Sequence, residues 1–64
     1  MKLPAVLTIV RDEEKGVEYH VYAYRRLKRA EAVAQVRLAR ADKKFKEPKK
    51  GRPAKILSII GHDE

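Results

Sequence analysis

Short apolar runs separated by polar residues occupy the first third of the chain. Residues 3–10 and 17–24 are rich in β-branched and aromatic side chains, which favour strands. The polar run Asp12–Gly16 between them ends in Gly, as hairpin loops commonly do. The pattern therefore predicts a β-hairpin over about residues 3–24.

The rest of the chain predicts a helix, a basic loop and a third strand. Residues 26–45 contain neither Gly nor Pro and consist mostly of good helix formers. Residues 46–53 contain two Pro and one Gly and predict a loop, and the apolar residues 54–60 predict a short last strand. We expect a single α+β domain covering residues 1–64 in the order β-β-α-β. Its three-stranded antiparallel sheet would carry the helix on one face.

Helical periodicity separates the side chains of the predicted helix into distinct faces. The apolar stripe expected to press on the sheet consists of Ala30, Ala34, Leu38, Ala41 and Phe45. A weaker apolar patch of Ala32, Val36 and Ala39 could be additional core or an exposed contact. Five cations share another side of the helix, which we call the basic flank: Arg26, Arg29, Arg37, Arg40 and Lys44.

Charge is distributed unevenly and changes the functional interpretation. The 64 residues carry 16 Lys and Arg against 9 Asp and Glu, a net charge of +7, and most of the excess lies in residues 25–55. Aligned cations repel one another, whereas a phosphate backbone would attract all of them and release its condensed counterions. The sequence predicts a small basic protein that binds nucleic acid through phosphate contacts, with duplex DNA favoured over RNA. The alternatives are a merely solvated face and contact with an acidic protein surface.

A second group of cations lies in the predicted loop. The segment Lys49-Lys50-Gly51-Arg52-Pro53 resembles the core of an AT-hook, an Arg-Gly-Arg-Pro element that lies extended in the minor groove of A·T-rich DNA. The resemblance implies that Lys50 and Arg52 enter the groove with Pro53 at its edge, although Lys50 stands where the motif has Arg. An ordinary connecting loop is the alternative. The predicted nucleic-acid contacts are therefore the basic flank together with Lys49, Lys50 and Arg52.

Alternation along the second strand separates two sets of side chains. One set consists of Val17, Tyr19, Val21 and Ala23, and we expect it to face the helix. The open face of the sheet would then carry the aromatic residues His20, Tyr22 and Tyr24. Such residues can stack on nucleobases, close a homodimer or simply cover a thin sheet, and we favour a homodimer over stacking.

Several function classes do not fit this chain. It has no Cys, which excludes disulfides and cysteine-based zinc sites, and its apolar runs are far shorter than a membrane span. The two histidines, His20 and His62, belong to different predicted elements, and no nucleophile–base or phosphate-binding motif accompanies them. We expect a cytoplasmic, nucleoid-associated and non-enzymatic protein without a cofactor or a metal.

The overall pattern also resembles a group of very small proteins. A hairpin, a helix containing Ala30-Glu31-Ala32-Val33-Ala34 and a last strand reading Ile56-Leu57-Ser58-Ile59-Ile60 are similar to many bacteriophage-encoded proteins, including some anti-CRISPR proteins. The plan also resembles the sheet-and-helix part of double-stranded-RNA-binding domains. The phage resemblance implies a stoichiometric inhibitor in the host cytoplasm that binds a host protein or nucleoprotein complex. Since fold alone does not determine function, this interpretation is the alternative to nucleic-acid binding.

Overall fold

The structure, a computed structural model, describes residues 3–63 and contains one mixed sheet and one helix. The elements are β1 (Val6–Asp12), β2 (Val17–Ala23), α1 (Arg29–Ala41) and β3 (Ala54–Leu57). The strand order is β1-β2-β3, which makes β2 the central strand. The predicted α+β class and the element order β-β-α-β are confirmed.

The first two strands form the predicted antiparallel hairpin. Their register runs from Val6 opposite Ala23 to Asp12 opposite Val17. In the turn, the Asp12 carbonyl accepts the Gly16 N–H at 2.9 Å, and the Asp12 carboxylate accepts the Lys15 N–H at 3.2 Å. Gly16 has a positive φ of 67°, which favours glycine at this position. β1 begins at Val6, later than predicted, and it ends at Asp12 because the polar residues Arg11 and Asp12 also pair with β2.

The third strand corrects the prediction of an all-antiparallel sheet. β3 pairs with β2 in parallel, from Tyr19 opposite Ala54 to Tyr22 opposite Leu57. The physical reason is the intervening helix, which crosses the sheet and returns the chain to the end where β2 began. β3 also ends three residues earlier than predicted. Ser58 is buried after it, where its N–H donates to the Tyr22 carbonyl at 2.7 Å and its hydroxyl accepts the Ile60 N–H at 3.1 Å.

The core lies between α1 and the inner face of the sheet. The inward face predicted for the second strand is confirmed, since each of its four residues is at most 5% exposed: Val17, Tyr19, Val21 and Ala23. Leu27, Ala32, Val36 and Ile56 complete the buried cluster. The weaker apolar patch of the helix is therefore the face that packs on the sheet.

The predicted apolar stripe of the helix is wrong. Its helical members, Ala30, Ala34, Leu38 and Ala41, are all exposed, and Leu38 is 66% exposed. Phe45 is half-buried and stacks on Tyr19, but it follows the helix. The two candidate faces differ little in apolar content, so the rotation of α1 is decided by tertiary anchors. One of them is the buried Leu27, which lies directly before the helix.

The helix is also shorter than the predicted 26–45 at both ends. Lys28 has an extended backbone, and its N–H donates to the Glu31 carboxylate at 2.9 Å, which satisfies one of the amide groups at the helix start. At the other end Asp42 is extended, and its carboxylate accepts the Lys44 N–H at 2.9 Å. Such a local side-chain bond offers the backbone an alternative to continuing the helix.

Candidate nucleic-acid interface

Three of the five cations of the basic flank lie in α1. Arg29, Arg37 and Arg40 are exposed, and helical geometry places them within an arc of about 80° and along about 16 Å of the axis. Arg26 precedes the helix and Lys44 follows it, both with exposed side chains. The predicted alignment therefore holds for the three arginines, and the other two cations lie beyond the ends of the helix.

Arg40 differs from the other cations because it is held by Glu47. Its Nε donates to one Glu47 carboxylate oxygen at 2.8 Å, and the hydroxyl of the buried Tyr19 donates to the other at 3.0 Å. The bonds from Arg40 and Tyr19 lower the pKa of the Glu47 carboxyl. Burial raises the pKa of the Tyr19 phenol, and its bond to Glu47 raises it further. Glu47 thus partly neutralises Arg40 and ties the basic loop to the core.

The remaining predicted cations of the helix and loop are available to a ligand. Within residues 3–63, Arg40 is the only one of the eight predicted contacts that forms an ion pair. Arg25, outside the predicted set, binds Glu31 at 2.6 Å. That bond, together with the bond from the Lys28 N–H, lowers the pKa of Glu31 to about 2. Glu31 therefore pairs with Arg25 and Glu47 pairs with Arg40. Arg29 and Arg37 have no acidic partner within residues 3–63.

The basic loop forms a turn at the hairpin end of the sheet. The Lys49 carbonyl accepts the Arg52 N–H at 2.9 Å, Gly51 has a φ of +83°, and the aliphatic stem of Lys50 lies beside Gly16. Lys49, Lys50 and Arg52 are all exposed. The AT-hook resemblance implies an extended backbone, so binding in that form would require the Lys49–Arg52 hydrogen bond to open.

A groove of about 920 Å³ separates α1 from β1. Its floor is apolar and includes Val10, Ala32 and Val36. The helix wall carries the three arginines of α1, and the hairpin end of the groove carries three acids, Asp12, Glu13 and Glu14. These carboxylates offset part of the positive potential on the groove side. A polyanion would therefore approach from the outer side of the helix, toward which Arg37 is turned furthest of the three groove-lining arginines.

The open face of the sheet carries more aliphatic side chains than the aromatic face predicted from the sequence. His20 and Tyr22 are half-buried, and the register places them beside Leu7, Ile9 and Leu57, which are 43%, 50% and 68% exposed. The alternation of apolar residues along β1 is the signal that could have identified Leu7 and Ile9.

The third aromatic residue predicted for this face lies past the end of β2. The Tyr24 ring packs edge-on against His62 at a centroid distance of 4.8 Å. His20 Nε2 lies 3.2 Å from Glu18 Oε1, so this ring also has a local polar contact. Base stacking and homodimerisation through this face both stay predictions.

Comparison of the chain with protein-family models, curated proteins and solved structures finds no match. Among residues 3–63, no three His, Asp or Glu side chains form a group that could hold a metal ion. No helix in the same range is long and apolar enough to cross a membrane. The resemblances to the AT-hook and to small phage proteins stay predictions.

Proposed function

We propose that this protein binds nucleic acid, with duplex DNA preferred to RNA, through phosphate contacts from the basic flank and the basic loop. The observation that carries the proposal is the availability of the cations. Seven of the eight predicted contacts are exposed and have no ion pair within the described part of the chain. Electrostatic attraction to phosphates is independent of base sequence, so we expect affinity without marked sequence preference.

The cations form two groups, one on α1 and one in the basic loop, and Glu47 links them. The arginines of α1 follow the helix axis, and Glu47 joins Arg40 at the end of the helix to the loop that carries Lys49, Lys50 and Arg52. If the three helical arginines alone engage, affinity should fall about 40-fold between about 50 and 200 mM salt. If the three loop cations engage as well, the fall should exceed about 1,000-fold.

The experiment is a salt titration of binding to labelled duplex DNA, single-stranded DNA and duplex RNA, followed by fluorescence anisotropy. Arg37→Glu should weaken binding to all duplex sequences alike. The matched control is Lys55→Glu, which makes the same charge change at an exposed position of β3 on the face opposite α1. Absent or salt-insensitive binding at low salt would contradict the proposal, as would an equal loss in the two variants.

A second candidate function is that of an interaction protein that acts on a host protein or a nucleoprotein complex, as the phage resemblance implies. The observation that favours it is the exposed aliphatic cluster of Leu7, Ile9 and Leu57 on the open face of the sheet. A pull-down after nuclease digestion separates the two functions. A stoichiometric protein retained by the wild type and lost with Leu57→Lys would favour this second function.

A further inference from the structure

The outer edge of β1 presents unpaired backbone groups. The Tyr22 carbonyl accepts the N–H of Ser58, which directly follows β3, so Tyr22 directs its backbone groups toward β3. Neighbouring residues of a strand alternate in this direction, so the odd-numbered residues of β2 direct their N–H and C=O groups toward β1. Through the register, the even-numbered residues of β1 face β2. Leu7, Ile9 and Arg11 therefore direct their N–H and C=O groups outward. Within residues 3–63, no turn or loop backbone bond uses these groups.

The two edges of the sheet differ in how they resist pairing. β3 has four residues, follows Pro53 and carries the exposed Lys55, three features that discourage another strand from adding to it. β1 has seven residues and no Pro, and its stretch Val6–Val10 has no charged side chain. β1 is thus the edge suited to pairing with another strand.

The groove beside this edge has opposite charges at its two ends. Because α1 returns across the sheet after β2, Arg29 lies toward the start of β1, and Arg40 lies toward its end, where Asp12 and the hairpin acids are found. A strand that runs antiparallel to β1 and carries an acid at its own end would bring that acid to Arg29. β1 itself is such a strand, since it ends in Asp12.

We propose that two copies of this chain pair through their β1 edges in antiparallel orientation and form one continuous sheet. Placing Ile9 opposite Ile9 of the second copy sets Leu7 of each copy opposite Arg11 of the other. The outward N–H and C=O groups of these three residues in each copy then form about six backbone hydrogen bonds. The second copy's Asp12 then lies opposite Val6 on the groove side, beside Arg29. The contact is isologous and uses the β1 edge of both copies, so assembly closes at the dimer.

An unrelated extended peptide could occupy the same edge. The charge pattern favours a second copy, because β1 itself carries at its end the acid that antiparallel pairing brings to Arg29. Because Arg29 is also one of the proposed phosphate contacts, dimerisation is tested without nucleic acid present.

The test is sedimentation equilibrium of the purified chain across the micromolar concentration range. The wild type should reach twice the chain mass of 7.4 kDa. Ile9→Pro removes an outward N–H without removing a bond to β2 and should stay monomeric. Ile9→Ala is the matched control, because it shortens the same side chain but keeps the N–H, and it should dimerise. Circular dichroism shows whether each variant is folded.

A charge-reversal pair keeps the proposal falsifiable if Ile9→Pro does not fold. Arg29→Glu should weaken dimerisation about tenfold, and adding Asp12→Arg, the charge reversal at the position that faces Arg29, should restore most of the loss. A wild type that is monomeric at every concentration overturns the proposal, even if it captures an extended peptide. A dimer that resists Ile9→Pro but dissociates with Leu57→Lys also overturns it, because that result assigns the contact to the open face.

Discussion

Replacing Glu47 with Gln tests whether the ion pair with this carboxylate prevents Arg40 from binding a polyanion. Glu47 holds Arg40 at 2.8 Å and accepts the Tyr19 hydroxyl at 3.0 Å. The Gln amide oxygen can still accept the Tyr19 hydroxyl, so the loop keeps its anchor to the core, whereas the ion pair to Arg40 is removed. Acidification is a poorer test, because the bonds from Arg40 and Tyr19 lower the pKa of Glu47 and maintain its charge.

The size of the effect follows from counterion release. One additional phosphate contact steepens the dependence of log affinity on log salt by about 0.9. The same relation limits the gain in affinity for DNA to about fifteenfold at about 50 mM salt and about fourfold at about 200 mM. Glu47→Gln should therefore bind DNA more tightly than the wild type, by a factor that shrinks as salt is added.

The assay is a salt titration of duplex-DNA binding, with Asp63→Asn as the control. Asp63 is exposed and pairs with His62 beyond β3, at the end of the sheet away from Arg40, so its replacement raises the net charge equally without releasing a cation of the flank. Only Glu47→Gln should steepen the salt dependence. If both variants gain affinity equally with unchanged slopes, Arg40 is not a phosphate contact and only the net charge matters.

Two further predictions concern stability. A Cβ at Gly61, whose φ is +86°, would lie 2.8 Å from Arg25 Cγ and 3.0 Å from the Arg25 nitrogen, so Gly61→Ala should lower the free energy of unfolding by about 2–4 kcal/mol in urea titrations. Gly51→Ala, at a φ of +83° in open space, should lower it by only about 1 kcal/mol, and equal losses would refute the steric argument. The Glu31 pKa falls from 4.5 to about 2 on folding, so its ionised form stabilises the protein above pH 4.5, and this stabilisation is lost as the pH falls toward 2. Glu31→Gln should flatten the dependence of unfolding free energy on pH in that window, and an unchanged slope would assign the acid sensitivity to other carboxyl groups.

The sequence predicts the strands and the inward face of β2 correctly, because alternation and β-branched content are properties of each segment alone and do not depend on contacts with other segments. The predicted direction of β3 was wrong, although the order of elements indicates the correct one. A strand that follows a helix packed across the sheet returns parallel to the strand before the helix. Four residues, Ala54–Leu57, carry too little pattern to indicate direction by themselves.

The rotation of α1 could not be predicted, because it depends on contacts between distant segments. Alanine occupies several sides of this helix, so no single face has a clear hydrophobic advantage over the others. The Arg40–Glu47 pair joins residues on either side of the helix end, and no helical spacing indicates it. The Glu31 contact has the spacing of a capping box, but Lys28 occupies the cap where the start signal has Ser, Thr, Asp or Asn, so the sequence shows only half of that signal.

The rotation of α1 also decides which arginine can report on each proposal. Relative to the buried Ala32, Arg29 lies about 60° around the helix and Arg37 about 140°. Pairing of β1 edges would enclose Arg29 beside the second copy's Asp12, whereas Arg37 also lines the groove but lies about 12 Å further along the helix, away from that contact. A loss of DNA affinity in Arg29→Glu can therefore arise from altered dimerisation, whereas the same loss in Arg37→Glu, with dimerisation unchanged in sedimentation equilibrium, assigns the loss to phosphate contact. Polyanion binding and self-association can thus fail or succeed independently, and Arg37 is the residue that separates them.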